Sequence, residues 1–234
     1  MDTLQEIGPN EQLIAQGEYN YQVSGKDSGL TETWSLHMLP EETLIHRAVV
    51  SGQVASIKLK QVTLFIMTPN YRPSKLEMTQ EIDGRVTRTT IHCSEKSITQ
   101  SIIAEEETDK AVLEVPTGYG LFFPPVSAQG FILQSYDLEV GGRQPIPLVS
   151  IRIQPEEALP LSIEVQTTIE YEHLSSDKEI ETPAGQFACH HFVRYDQHME
   201  QQLWVDKTWI PIQWSVPYSE IMKWEYLLTR YHRE

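Results

Sequence analysis

The chain has 234 residues, 40% of them hydrophobic, and sets 18 Lys and Arg against 33 Asp and Glu for a formal net charge of −15. A chain of this length fits one all-β domain over residues 1–234 and buries enough surface to need neither a metal nor a disulfide framework. The acidic balance, with no basic cluster, excludes a nucleic-acid surface and disfavours an anionic membrane surface, but leaves a neutral lipid inside a cavity open.

The N-terminal run MDTLQEIGPNEQLIAQ has no positive n-region and no apolar h-region. The longest apolar run, near Val62 to Met67, is too short to span a bilayer. A cytoplasmic location is the expectation, or the envelope if a signal has been trimmed. One short helical turn is expected near Glu11 to Ala15. Strand-period segments follow at Glu18 to Val23, Thr31 to Met38, Thr43 to Val50, Ala55 to Met67, Lys75 to Ile82, Arg85 to Cys93, Lys96 to Ala104 and Lys110 to Val115. Asp83-Gly84 between two of them is a two-residue hairpin signal, because its turn needs positive φ at both positions. Gly25 to Gly29, Pro40-Glu41 and Gly141-Gly142 are weaker turn signals.

A second helical turn is expected at Val126 to Gly130. The Pro-rich stretches around Pro116 to Pro125 and Gly142 to Pro147 read as connections, with a soft division of the domain near 141–147 as the alternative to one undivided unit. The clearest alternation places Leu161, Ile163, Val165, Ile169 and Tyr171 on one face and Glu164, Gln166, Glu170 and Glu172 on the other. It predicts a single half-solvated strand over 161–172 in an antiparallel sheet. The fold class is therefore all-β, with few short helices.

Glu181-Thr182-Pro183-Ala184-Gly185-Gln186-Phe187 comes next. Pro183 fixes a turn value of φ, Gly185 can accept a positive φ, and Phe187 starts the next strand toward the core, which predicts a tight hairpin. A strand, Leu203-Trp204 with an acidic turn, a strand starting at Pro211, and a final strand rich in aromatics and Leu complete the chain. This order resembles an uncharacterised bacterial all-β family, a domain of unknown function with a TPAG-x-F hairpin. Gly17-Glu18-Tyr19 and Leu138 to Leu148 extend the likeness over most of the chain. The resemblance implies a long antiparallel sheet curved into a half-barrel or clamshell, similar in form to carriers of lipoproteins and other lipidic ligands. It implies no catalytic residues, and it implies export to the envelope, which the N-terminus does not echo.

Chemistry-bearing residues are few. Cys93 and Cys189 allow one disulfide by arithmetic, but free buried thiols are the expectation. Cys189-His190-His191 is the nearest approach to a metal constellation. On a strand Cys189 and His191 would share a face, so they are weak metal candidates without a completing CxxC or HxxxH pair. A thiolate at Cys189 served by His92 across strands would be a nucleophile, the third functional alternative. Glu105-Glu106-Glu107 reads as solvated surface. No GxSxG, phosphate loop or HExxH is present, and no cofactor is implied. The aromatics are more suggestive. Trp34, Trp204, Trp214, Trp224 and Tyr226 either fill the core or line the concave face around a hydrophobic or lipid-like ligand. A structural or protein-interaction module without a small ligand is the alternative.

Overall fold

The computed structural model describes residues 6–104, 107–153, 161–166, 169–196, 199–219 and 221–234. Its strands in chain order are β1 (Gln12–Val23), β2 (Lys26–Met38), β3 (Leu44–Val54), β4 (Ile57–Met67), β5 (Pro73–Ile82), β6 (Arg85–Cys93), β7 (Ser97–Ala104), β8 (Glu107–Glu114), β9 (Gly120–Phe122), β10 (Arg143–Pro145), β11 (Leu148–Ile153), β12 (Leu161–Gln166), β13 (Glu170–Thr182), β14 (Gly185–Asp196), β15 (Met199–Val205), β16 (Pro211–Pro217) and β17 (Lys223–Arg233). A 3-10 helix spans Val126–Ser135.

Fourteen strands form one antiparallel sheet in the order β10-β13-β14-β15-β16-β17-β1-β2-β3-β4-β5-β6-β7-β8. The last strand pairs with the first in the middle of the sheet, and the sheet curves around the 3-10 helix, which β2, β3 and β4 all hold; among the described residues β10 and β8 remain its free ends, and it does not close into a barrel. β12, β11 and β9 make a second, three-stranded sheet, in which β9 runs parallel to β11.

Period-two patterning builds the large sheet. In β2, Leu30, Glu32, Trp34 and Leu36 point inward and are buried, while Thr31 and Thr33 alternate with them on the exposed face. Asp83 and Gly84 have φ of 48° and 85°, both left-handed, so the DG dipeptide makes the primed turn that joins Ile82 to Arg85. Ser24 and Gly25 do the same between β1 and β2, with φ of 49° and 76°. Pro183-Ala184 is the two-residue loop that pairs Thr182 with Gly185, and the Thr182 hydroxyl accepts from the Ala184 N–H at 3.2 Å. Phe187 then packs against Tyr231 of β17, ring centroids 5.6 Å apart.

Three expectations need correction. Gln12 to Ala15 is strand, because this segment pairs with both β2 and β17 and tertiary pairing outweighs a weak local helical preference. The alternation over 161–172 is two strands: β12 belongs to the small sheet and β13 to the large one, so the chain changes sheets between them. Both Pro-rich connections carry a short strand, β9 and β10. Glu105 and Glu106 lie outside the described residues, and Glu107 opens β8 on the exposed edge.

Candidate functional site

The hollow of the curved sheet is taken up by the chain itself. The 3-10 helix lies inside, with Val126 to Leu133 all buried. Gly130 is pressed so closely on the Trp209 carbonyl that a Cβ would collide with it, which is why glycine stands there. Polar groups on inward strand positions hold the helix start. The fully buried Glu32 carboxylate accepts the backbone N–H groups of Val126 and Ser127 at 2.8 and 3.0 Å, and the Tyr21 hydroxyl at 2.5 Å. Burial raises its pKa, against the opposing pull of the Ser127 and Tyr21 hydrogen bonds. His46 Nε2 lies 2.8 Å from Ser127 Oγ. Burial, then the Arg47 charge, drives the His46 pKa down to about 3, so the ring is neutral. Gln61 Nε2 donates to the Pro124 carbonyl, and Gln129 Nε2 to those of Phe123 and Pro125.

Ser127 and His46 stand at nucleophile-to-base distance, but both are fully buried and the carboxylate bonds the serine side rather than orienting the imidazole. Their connectivity is that of a tether.

The sequence-predicted aromatics separate into distinct environments. Trp34 is buried between Tyr19, His46 and Tyr231, at centroid distances of 6.3, 6.3 and 6.1 Å. Trp214, Trp224 and Tyr226 come together on β16 and β17, Trp214 lying 5.2 Å and Trp224 6.2 Å from Tyr226. Trp204 stands apart, stacked on His191 at 4.7 Å. Trp34 and Trp214 belong to the core, and Trp204, Trp224 and Tyr226 are partly buried against it.

Cys189 and His191 have separate partners: the Cys189 thiol points at the Phe187 carbonyl, 3.7 Å away, and His191 Nε2 lies 2.7 Å from Gln202 Oε1. Among the described residues no three His, Cys, Asp or Glu side chains converge. His92 is exposed on β6, remote in strand order from β14, so the supposed Cys189–His92 pairing is not formed. Both cysteines are free, Cys189 buried and Cys93 half-buried. Burial pushes the Cys93 thiol up to about 11 and the Cys189 thiol, also repelled as thiolate by Asp206, to about 12. At neutral pH both are protonated, the opposite of an activated nucleophile.

At one end of the hollow, a cavity of about 370 Å³ opens between the β4–β5 turn, the β6–β7 turn and the segment leading to β9. Arg72, Pro73, Cys93, Glu95, Thr117 and Tyr119 are among the residues that line it, so the cavity carries one cation and one carboxylate. Tyr119 is buried, its hydroxyl donating to the Ser94 carbonyl at 3.1 Å and hydrogen-bonded to the Cys93 thiol. Arg72 and Tyr119 also border a narrow crevice that runs inward to Phe65, Phe131 and Ile132 of the interior. The exposed Arg72 guanidinium, 3.5 Å from Ser135 Oγ, supplies positive charge at the rim.

Sequence reasoning missed Glu32, His46 and Gln61, although each interrupts an apolar face: Leu30-x-Glu32-x-Trp34, Leu44-x-His46-x-Ala48 and Gln61-x-Thr63-x-Phe65. A polar residue at an inward position is the signal that could have found them, because burial demands a hydrogen-bonding partner from elsewhere. Nothing in the sequence marks the cavity, which is assembled from three turns.

No protein-family model and no curated protein matches the chain. Among solved structures, it is similar to a beta-barrel-like protein of domain of unknown function DUF1849 from Brucella abortus, at 10% identity and a TM-score of 0.56, over 95% of this chain and 98% of that one. It is also similar to a DUF1089 family protein from Pseudomonas aeruginosa, at 12% identity and a TM-score of 0.51, over 81% of this chain and 90% of that one. At these identities the likeness is one of fold, and it sets the chain beside domains of unknown function, one of them described as beta-barrel-like, in keeping with the uncharacterised all-β family that the TPAG-x-F resemblance suggested.

Proposed function

We propose that this chain is a non-enzymatic binding protein that takes a hydrophobic or lipid-like small molecule at the mouth of its curved sheet. The observation that carries the reading is the mouth cavity. Its volume falls in the range of small-molecule sites, and it sets the apolar surface of Pro73, Cys93 and Tyr119 among polar side chains that include one cation, Arg72, and one carboxylate, Glu95. The ligand's apolar end would lie along Pro73, Cys93 and Tyr119, with its polar end toward Arg72. The filled hollow favours the mouth over the centre of the sheet, where the 3-10 helix would first have to leave.

Decanoate is a suitable probe, with decanol as its neutral counterpart. Solvent extraction of the freshly purified chain followed by mass spectrometry should release an amphiphile, and decanoate should bind saturably. Thr117→Trp, which fills the cavity from an exposed loop, should weaken decanoate at least tenfold. An empty extract together with no saturable binding of either probe would dispose of the reading. In that event the protein-interaction module gains ground. Its support is the free strand β8, where Val112 is 71% exposed and Ile103 of the neighbouring strand is 43% exposed.

A further inference from the structure

On the β13–β14 hairpin, away from the mouth cavity, two imidazoles and a hydroxyl converge. His190 Nδ1 lies 3.3 Å from His173 Nε2. Ser176 Oγ lies 3.5 Å from His173 Nε2 and 3.4 Å from His190 Nδ1. The three atoms form a nearly equilateral triangle, which one hydrogen bond between two rings would not require. A triangle of that edge is a face of a tetrahedron whose centre is about 2.1 Å from each corner, close to the ~2.0–2.1 Å of zinc–imidazole bonds.

The local fold explains the convergence. The pairing of β13 with β14 shifts register between His173 and Ser175 and again between Ser175 and Lys178. Extra residues on one strand bend it and redirect its side chains, here bringing Ser176 over the two rings. The rings are held in place from behind. His190 is stacked on Trp209, centroids 5.8 Å apart and planes 12° apart. His173 packs on Phe192 at 4.9 Å, and the Ser175 backbone accepts a hydrogen bond from its imidazole. Backing of this kind fixes the orientation of metal-binding imidazoles. The histidines are half-buried and Ser176 is exposed, so the open side of the triangle faces solvent.

We propose that His173 Nε2, His190 Nδ1 and Ser176 Oγ form a binding site for a late first-row divalent cation, zinc by its geometry, with water at the fourth position. Imidazole nitrogens suit zinc, copper and nickel, whereas calcium and magnesium prefer oxygen shells. With a neutral hydroxyl as third donor the site is a weak one, of micromolar rather than structural affinity. It is independent of the mouth cavity and stands or falls separately from ligand binding there.

The test uses the full chain, freed of metal by dialysis against a chelator and titrated calorimetrically with zinc chloride. One equivalent should bind. His173→Gln and His190→Gln should each weaken it at least tenfold and Ser176→Ala several-fold, while His92→Gln on distant β6 should leave it unchanged. Histidine nitrogen NMR on the unaltered protein gives a readout that needs no variant. Zinc should shift Nδ1 of His190 and Nε2 of His173, an unusual mixed pattern. Zinc uptake undiminished in both histidine variants, NMR shifts confined to other histidines, or no saturable binding at all would overturn the proposal.

Discussion

Glu32 is the side chain on which the interior arrangement turns. A carboxylate removed from water is costly unless it is hydrogen-bonded, and this one takes two backbone N–H groups and a tyrosine hydroxyl. Its folded pKa is raised by burial, so the native state holds a proton that the unfolded chain has released at the same pH. Glu32's contribution to stability is therefore largest below its unfolded value, near 4.5, and declines as pH rises through the window up to its raised folded value. Glu32→Gln cannot ionise and presents an amide N–H₂ to one of the three donors. It should cost about 1–3 kcal/mol at low pH, where the wild-type carboxyl is neutral. The gap should narrow as pH rises from about 4.5 toward neutrality. Urea denaturation of both proteins across that range measures it, and a pH-independent gap would show that Glu32 does not titrate within the window.

At the scale of elements, the strands were legible and their company was not. Arg85 to Cys93 and the Asp83-Gly84 turn stand where alternation and turn chemistry place them, because a half-buried strand writes its period directly into the sequence. The stretch 161–172 reads as one strand because its alternation runs through a point where the chain leaves one sheet for another, and period two carries no record of which partner a strand pairs with. The 3-10 helix is announced only by a short turn at Val126 to Gly130, and its place inside the sheet depends on polar groups from β2, β3 and β4. Gly130 tests that placement. A methyl group there would overlap the Trp209 carbonyl, so Gly130→Ala should destabilise the fold by about 1–3 kcal/mol by overpacking. A solvent-facing 3-10 segment would instead tolerate or gain from the same change, since alanine restricts the unfolded chain. A denaturation midpoint comparison distinguishes the two.

For the whole molecule, the aromatic residues that first suggested a ligand divide between core packing, a β16–β17 cluster and the Trp204–His191 stack, and the cleft that adjoins the interior lies at the mouth. That space was illegible because Arg72, Cys93 and Tyr119 are far apart in sequence and meet only when three turns share one end of the sheet. Cys93 offers a direct probe, being a cavity-lining thiol, while Cys189 is enclosed in the core. With its pKa pushed up to about 11, Cys93 should react with iodoacetamide at pH 8 roughly a hundredfold more slowly than an ordinary thiol, from the thiolate fraction alone. The decisive measurement follows alkylation of Cys93 in the native full chain by peptide mass spectrometry, with and without saturating decanoate. Further slowing of Cys93 by decanoate, lost in Thr117→Trp, is the expected result. Decanoate that binds while Cys93 reacts unchanged, and that instead exposes Cys189 or frees the 3-10 helix to amide exchange, would contradict binding at the mouth and return the ligand to the interior of the sheet.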